Sequence, residues 1–307
     1  MEKIKSENTQ ALRGLKQSIN RGTIHSADYA PTIYPQFSLE NENCGIFLGC
    51  ELELEANDEV SSGIIRNCIF PKYLRKMSGI LKKDGSLGRH GIELLLLPHT
   101  FPALLVAGEQ AKLPQCFDYL NLLATSYDNS RCGLHIHVDR SGLLEYAHRV
   151  NEYSANYCDL QRAIARIFVA FRHQIREISK RKDAQMRFCQ LPTDVGGYNN
   201  YDKYLACNFK HEKTVEIRIW RGTLNYKSIV KYYALSQALC MFAIKRFEAD
   251  APDSLYRVAG ENEAKCLFGA ALWSDFVEYY GELVFNLHRK ALIHCNLDNF
   301  LLIGTKK

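Results

Sequence analysis

Three stretches of the chain, residues 49–55, 134–139 and 215–220, alternate charged or imidazole side chains with aliphatic ones. A period of two is typical of a β-strand that buries one face and exposes the other. The exposed faces would carry Glu51, Glu53 and Glu55 on the first strand, His135, His137 and Asp139 on the second, and Glu216, Arg218 and Trp220 on the third. Because an ordinary exposed face mixes Lys, Thr and Glu, this pattern predicts a functional face on a mainly antiparallel sheet.

Weaker patterns predict the remaining elements. Residues 82–97 are typical of a hairpin that turns at Asp84-Gly85-Ser86 and carries Glu93 on its second strand. A second hairpin would join residues 204–209 to residues 214–221 through the turn at 211–213. Hydrophobic spacing predicts helices at residues 9–19, 114–126 and 151–180 and over most of the last quarter, and composition predicts a loop near the site at residues 193–201.

The length and composition are those of a globular protein. The chain has 307 residues, of which 47% are hydrophobic and 24% charged, so a sizeable core is expected. We interpret residues 44–226, which carry the polar motifs described above, as the functional core. Residues 1–43 would form an N-terminal extension with a short helix, and residues 227–307 would form C-terminal helices packed on the core as part of the same domain.

Charge and cysteine content argue against several classes of protein. The formal net charge is +5 without a Lys/Arg block, so no nucleic-acid partner is expected, and the cluster at residues 176–182 is interpreted as a solvated helix end. No run of about twenty apolar residues predicts a membrane span, and the first residues lack the apolar core of a secretory signal. The eleven cysteines form no Cys-x-x-Cys pair, which favours a reducing, cytoplasmic environment.

Each polar motif also has an ordinary interpretation. Glu51 and Glu53 alone would suit a solvated strand face. His135 and His137 could ligate zinc or form structural hydrogen bonds within the sheet. Glu216 could bind a metal while Arg218 binds phosphate, or the two could form an internal salt bridge. Together, however, the motifs would bring acids and imidazoles from four strands into one space, and this conjunction predicts a site.

The motifs also follow one another in an ordered series. The series is Gly-x-Glu-x-Glu at residues 49–53, Asp-Gly-Ser at 84–86 with Gly-x-Glu at 91–93, Cys-Gly-x-His-x-His at 132–137, Tyr-x-x-x-Asn at 204–208, and Thr-x-Glu-x-Arg with Gly-Thr at 214–223. In this order the chain resembles the amidoligases, which belong to the carboxylate–amine ligase superfamily with glutamine synthetase and γ-glutamylcysteine ligase. The resemblance covers residues 44–226. It implies an α+β fold, with a curved, mainly antiparallel sheet in a glutamine-synthetase-like half-barrel and helices packed outside.

The resemblance implies an ATP- and Mg²⁺- (or Mn²⁺-) dependent, ADP-forming ligase. Such an enzyme joins a carboxylate on an amino acid, peptide or protein to an amine through an acyl phosphate. The chain has no P-loop motif, so ions and side chains would hold the phosphates. The metal ligands implied are Glu51, Glu53, Glu93, His135 and Glu216.

The resemblance also implies roles for the other polar residues. Arg218 and Glu93 would be catalytic, with Arg218 stabilising phosphoryl or acyl-phosphate oxygens and His137 reaching the nucleotide phosphates. Arg187, Lys203 and Asn208 are candidates for nucleotide or substrate contacts. Two other functions remain open: a zinc-dependent hydrolase built on His135 and His137, and an inactive ligand-binding relative. The helices expected in the terminal regions could face a partner subunit, so the sequence is compatible with an oligomer.

Overall fold

The computed structural model describes residues 37–38, 45–77, 79–127, 131–150, 156–198, 202–248, 250–253 and 267–295, with side chains in the last range given for 271–291. The helix predicted at residues 9–19 and part of the loop predicted at 193–201 lie outside these ranges. Seven strands run through the described residues: β1 Phe47–Ala56, β2 Gly79–Lys82, β3 Gly91–Thr100, β4 Ala124–Thr125, β5 Leu134–Asp139, β6 Cys207–Asn208 and β7 Thr214–Ile217.

These strands form one open antiparallel sheet in the order β2–β3–β1–β5–β7–β6, and β4 pairs with the end of β1. The α+β class and the antiparallel sheet are therefore confirmed. Both predicted hairpins are present, as β2–β3 and β6–β7. In the first turn, the Ser86 backbone N–H and hydroxyl both donate to the Asp84 carboxylate, at 2.8 and 2.7 Å. This side-chain bonding explains why the Asp-Gly-Ser sequence folds as a turn.

Helices cover the sheet. They are α1 Glu59–Ile64, α2 Phe101–Gln110, α3 Leu113–Leu123, α4 Arg140–Val150, α5 Tyr157–Ala170, α6 Arg172–Ser179, α7 Tyr226–Lys245 and α8 Leu267–Cys295, with a π-helix at Ile65–Leu74 and 3₁₀ turns at Arg75–Met77, Asp183–Phe188 and Val195–Gly197. Helix α7 contacts β5 and the helices α2 to α5 and α8. None of the described helices has the length and apolar character needed to cross a membrane.

The alternation along the strands separates a core face from a polar face. Buried apolar side chains from β1, β5 and β7 point to one side of the sheet: Cys50, Leu52, Leu54, Leu134, Ile136, Val138, Val215 and Ile217. Full burial of each large aliphatic side chain contributes about 1.5–3 kcal/mol, so a one-residue slip in register would cost several of these contributions at once. The core thereby fixes which polar residues face outward.

Two details of the predicted elements are wrong. The helix predicted over 151–180 is interrupted at Phe171, because the Phe171 ring packs against Phe242, Trp273 and Phe276 instead of continuing a straight helix. Trp220 does not share a face with Glu216. It lies beyond the end of β7, where its indole is buried, stacks on Tyr232 and donates to the Ser236 hydroxyl at 2.8 Å.

A residue of the N-terminal region extends the sheet. Phe37 pairs in parallel with the end of β3: its N–H donates to the Pro98 carbonyl at 3.0 Å and its carbonyl accepts from Thr100 N–H at 2.9 Å. The Phe37 ring also stacks on His99, with 4.7 Å between ring centroids. This contact occupies backbone groups of β3 beyond the four residues paired with β2.

Candidate active site

Strand register brings the polar residues of distant motifs side by side. Glu51 of β1 lies opposite His135 of β5, and Glu53 lies opposite Glu93 of β3. On the other side of β5, His137 lies opposite Glu216 of β7, which in turn lies opposite Asn208 of β6. The sheet therefore gathers the acids and imidazoles predicted from the sequence onto one face, as the conjunction of motifs indicated.

Glu216 is the most heavily bonded carboxylate of this face. It is 1% exposed, and it accepts hydrogen bonds from the Arg218 guanidinium and from the Asn208 amide, the latter at 3.1 Å. Its two oxygens also lie 3.4 Å from His135 Nδ1 and from His211 Nε2. Asn208 is itself buried behind Glu216, so here it orients this carboxylate and does not line the cavity described below.

The electrostatics of Glu216 favour the ionised form. Burial raises the pKa of a carboxyl group, but a hydrogen bond to His211 and the charges of His137, His135 and Arg218 lower the pKa of Glu216 to about 2. The carboxylate is thus negative over the whole physiological range. It is available as a ligand for a cation and as a partner for Arg218.

Glu51, His137 and Glu216 together form a candidate cation site. One potential ligand atom from each lies within 4.8 Å of the others. His137 Nε2 is buried and makes no hydrogen bond to any described residue, although Glu51 Oε1 is 3.4 Å away, whereas its Nδ1 lies 3.3 Å from the Thr214 hydroxyl. A buried donor atom without a hydrogen bond, facing two carboxylates, has the chemistry that a divalent cation would satisfy.

The two histidines of β5 lie close to the same two carboxylates, those of Glu51 and Glu216. His135 Nδ1 lies 3.4 Å from both Glu51 and Glu216, so it bridges the pair that His137 also faces. Burial lowers the pKa of an imidazole, but Glu51 and Glu216 raise the pKa of His137 to about 9. Burial opposes the ionisation of Glu51, yet the two histidines hold its pKa well below the ordinary value. His137 therefore keeps its proton near neutral pH in the metal-free protein, and a cation that binds at Nε2 would have to displace that proton.

A second group of acids, Glu53 and Glu93, lies where the ionised form of a carboxyl group is disfavoured. Glu53 is 8% exposed and accepts from Gly133 N–H at 2.6 Å, but burial raises its pKa. Burial and the charge of Glu51 raise the pKa of Glu93 to about 8. Carboxyl groups this close ionise together only when a cation neutralises them, and otherwise one of them keeps its proton. The predicted metal ligands thus occupy one continuous acidic region.

A cavity of about 340 Å³ opens beside this region. Its lining has an acidic set (Glu51, Glu53, Asp84 and Glu93), a basic set (Arg131, Arg181, Arg187, Lys203 and Arg218), and His135, Ser86, Phe188 and Tyr204. Four acids and five basic residues thus share one concave space. Such an arrangement suits an anionic ligand that is bridged to the protein partly by cations and partly by guanidinium groups.

The β2–β3 turn, which contributes Asp84 to the acidic set, is tied to β1. The Glu55 carboxylate accepts from the backbone N–H groups of Gly88 and His90 at 2.9 and 3.0 Å. A side chain at Gly88 would meet the Glu55 carboxylate at 2.5 Å, so glycine permits this close approach. Glu55 therefore positions the turn and is not a simple continuation of the solvated face.

The predicted nucleotide contacts Arg187 and Lys203 both line the cavity. Arg187 lies over the Phe188 ring and Lys203 over the Tyr204 ring, at 4.6 and 5.0 Å from the ring centroids. The two rings meet edge to face with centroids 5.9 Å apart. Sequence reasoning missed several residues that lie here or against Glu216: Arg131, Arg181, Phe188, Tyr204 and His211. The nearest available signals were Arg131 beside the Cys132-Gly133 motif and Tyr204 within the Tyr-x-x-x-Asn motif.

Replacing Glu93 by glutamine is expected to stabilise the metal-free protein. The raised pKa of Glu93 means that its ionisation opposes folding, and this cost is complete above about pH 8, where the folded-state carboxyl has lost its proton. At about pH 9 we expect a melting temperature a few degrees higher than that of the wild type, on the order of 1 kcal/mol of free energy of unfolding. Melts in EDTA measure the effect.

The same variant should respond less to Mn²⁺ than the wild type does, because one acid of the site is missing. Glu109→Gln, an exposed change on α2, controls for the altered net charge. A Glu93→Gln protein that is less stable in EDTA and fully responsive to Mn²⁺ would contradict this description of the acidic set.

Comparison with known proteins shows a distant structural likeness. The chain matches no protein-family model and no curated protein. Among solved structures it is similar to a bifunctional glutathione synthetase from Pasteurella multocida, with 12% identity and a TM-score of 0.40 over 82% of this chain and 48% of that chain. The chain thus spans about half the length of that protein.

Proposed function

We propose that the chain is an ATP- and Mg²⁺- (or Mn²⁺-) dependent amidoligase that joins a carboxylate to an amine. The main support is the lining of the cavity, in which four acidic and five basic residues surround the same space. A metal–nucleotide complex has the matching character, since cations on its phosphates need carboxylates and its remaining phosphate charge needs guanidinium groups. The ordered motifs that resemble the amidoligases support the same reaction.

In this proposal one cation is bound by Glu51, Glu216 and the imidazoles beside them. The carboxyl groups of Glu53 and Glu93 lie next to that cation. His137 Nε2, buried and without a hydrogen bond to a described residue, is the ligand atom that fits best. A bound divalent cation would supply neutralisation of the phosphate charge. His135 thus keeps the metal role that the resemblance implies, and His137 gains one beside it.

Arg218 has the geometry of a phosphoryl-binding residue. One nitrogen, Nη1, donates to Glu216, which fixes the guanidinium, while Nε is buried without a hydrogen bond to any described residue. The side chain lines the cavity, so an oxyanion there would receive N–H donors that are already oriented. Fixed donors stabilise developing negative charge without reorganising during the reaction, which is the requirement for transfer of a phosphoryl group.

The chemical reason for ATP is the poor reactivity of a carboxylate. Transfer of the γ-phosphoryl group to the carboxylate would make an acyl phosphate, which an amine then attacks as phosphate leaves. Arg187, Lys203 and the rings beside them would contact the nucleotide or the acid. The acid would be an amino acid, peptide or protein.

The nucleotide products test the proposal. Incubation with ATP, Mg²⁺ or Mn²⁺ and a library of amino acids and amines should yield ADP and phosphate in equal amounts with the amide, because the γ-phosphoryl group goes to the carboxylate. Chromatography of the nucleotides together with mass spectrometry of the product measures this. AMP and pyrophosphate in a productive reaction would instead identify an adenylating ligase and refute the acyl-phosphate route.

One observation favours a second candidate, a zinc-dependent hydrolase. Glu51, His137 and Glu216 offer the mixed imidazole and carboxylate ligands that zinc accepts, and His211 lies 3.4 Å from Glu216. This alternative leaves the basic set of the cavity without a role. Metal analysis of the purified protein separates the two, since tightly retained zinc indicates the hydrolase and weak, exchangeable Mg²⁺ or Mn²⁺ indicates the ligase.

A further inference from the structure

Arg181 is a buried cation in the wall of the cavity. Its position in the basic cluster at residues 176–182 predicted a solvated helix end, and Arg176, which pairs with Asp183, is indeed exposed. Arg181 is different: it follows Lys180, which ends α6 in the left-handed conformation at φ 57°, and its side chain turns inward and is only 8% exposed. It nevertheless lines the cavity.

The hydrogen bonds of Arg181 go only to neutral groups, and Glu53 offsets its charge only at longer range. The guanidinium donates from Nη2 to the Arg218 carbonyl at 2.9 Å and from Nε to the Ile219 carbonyl at 3.3 Å. Both acceptors are neutral, and no carboxylate of the described residues lies within ion-pair distance. Burying a charge without a counter-ion is costly. Burial also lowers the pKa of Arg181.

Two neighbouring features suit the site to an anion. Gly133 makes room for the guanidinium, because a Cβ at this position would lie 2.4 Å from Arg181 Nη2. Arg181 also bonds the backbone of Arg218, so two guanidinium groups belong to one short segment of the wall. Although Arg218 also pairs with Glu216, its charge still disfavours the charge of Arg181, and a multivalent oxyanion bound in the cavity would relieve this repulsion.

We propose that Arg181 is an anion-binding residue of the cavity, which contacts phosphate oxygens together with Arg218. The ligand class is a phosphate oxyanion: a phosphoryl group of the nucleotide or the phosphate released by the reaction. This assignment of the anion rests on the proposed function, whereas the binding of an oxyanion at Arg181 does not require turnover.

A purely structural role would make Arg181 a support for the carbonyls of residues 218 and 219. Arg172 provides the matched comparison, because its Nε donates to the Leu191 carbonyl at 2.9 Å but it does not line the cavity. Arg181→Lys and Arg172→Lys both keep the charge and lose the planar guanidinium with its hydrogen bonds to backbone carbonyls. Only a ligand-binding role distinguishes the two variants when an anion is added.

The experiment is a calorimetric titration of the full chain with inorganic phosphate in the absence of nucleotide and metal. Thermal melts with and without phosphate give a second readout. We expect the wild type and Arg172→Lys to bind phosphate and melt at higher temperature with it, and Arg181→Lys to bind about tenfold more weakly or worse. A wild type that does not respond to phosphate, or an Arg181→Lys protein with wild-type affinity, would overturn the inference.

If Arg181→Lys does not fold, hydrogen exchange of the wild type decides. Phosphate should slow exchange in peptides that cover residues 179–182 and 218–221, and unchanged exchange there would overturn the inference. The assay also separates this inference from the proposed ligase. If phosphate binding depends on Arg181 but the protein has no ligase activity, the anion site stands and the proposed ligase function is wrong. If the protein is a ligase but Arg181→Lys binds phosphate as tightly as the wild type, the ligase function stands and the anion site at Arg181 is wrong.

Discussion

Glu51→Gln is expected to fold normally and to lose ATP turnover. Glutamine has nearly the same size and can still bond His135, so the apolar side of β1 is undisturbed and the fold should persist. The melting temperature should fall moderately, because the two histidines favour the ionised form of Glu51 and glutamine carries no charge. The lost negative charge, however, removes one of the ligands gathered with His137 and Glu216. We expect turnover to fall by at least about a hundredfold. A coupled assay for ADP, with melts in the presence and absence of Mn²⁺, measures both parts.

Glu55→Gln is the matched control, since Glu55 lies on the same strand and face but does not line the cavity. Its glutamine oxygen can still accept from one of the two N–H groups that Glu55 bonds, that of Gly88 or that of His90, so the turn should stay near β1 and most of the turnover should remain. Glu216→Gln should behave like Glu51→Gln, with a further loss of stability because Glu216 is buried and bonded to Arg218. Wild-type turnover in Glu51→Gln would show that the metal assignment is wrong.

Arg218→Lys is expected to bind nucleotide but to lose at least about a hundredfold in turnover. Lysine keeps the positive charge beside Glu216, which avoids leaving that buried carboxylate without a partner. It cannot reproduce the planar guanidinium, which holds Glu216 through one nitrogen and leaves Nε for a ligand. Because the missing contact matters most in the transition state, kcat should fall more than nucleotide affinity.

Arg246→Lys controls for the same substitution in an ion pair far from the cavity. Arg246 and Asp275 are both about half exposed, and such pairs contribute about 0–1 kcal/mol, so neither stability nor turnover should change much. If Arg218→Lys instead lowers the melting temperature substantially while turnover stays near the wild-type value, Arg218 is a structural partner of Glu216 only.

The strand faces could be predicted because alternation is a local property. Once Leu52 and Ile136 enter the core, Glu51 and His135 must face the other way, and their pairing follows from strand register. The hairpin at Asp84-Gly85-Ser86 was equally local, since its hydrogen bonds lie within three residues. These short-range rules account for the sheet and for most of the acidic set.

The basic side of the cavity required information that no local pattern contains. Arg181 is brought into the cavity wall by contacts with Gly133 and with the backbone of residues 218 and 219, all distant in sequence. His211 reaches Glu216 only because the β6–β7 turn brings its ring close to His137. The residues of irregular segments thus depend on tertiary packing, and the same packing interrupts the helix at Phe171.

The pairing of Phe37 with β3 bears on how shortened forms of this chain should be designed. A fragment that begins at residue 44, the start of the interpreted core, would leave the Pro98 carbonyl and the Thr100 N–H without these partners. Uncovered strand edges recruit strands from other molecules and promote aggregation. The Phe37 ring would also be lost from the surface of His99. A soluble shortened form therefore has to begin upstream of Phe37, so that the fragment keeps the residue that covers this edge of β3.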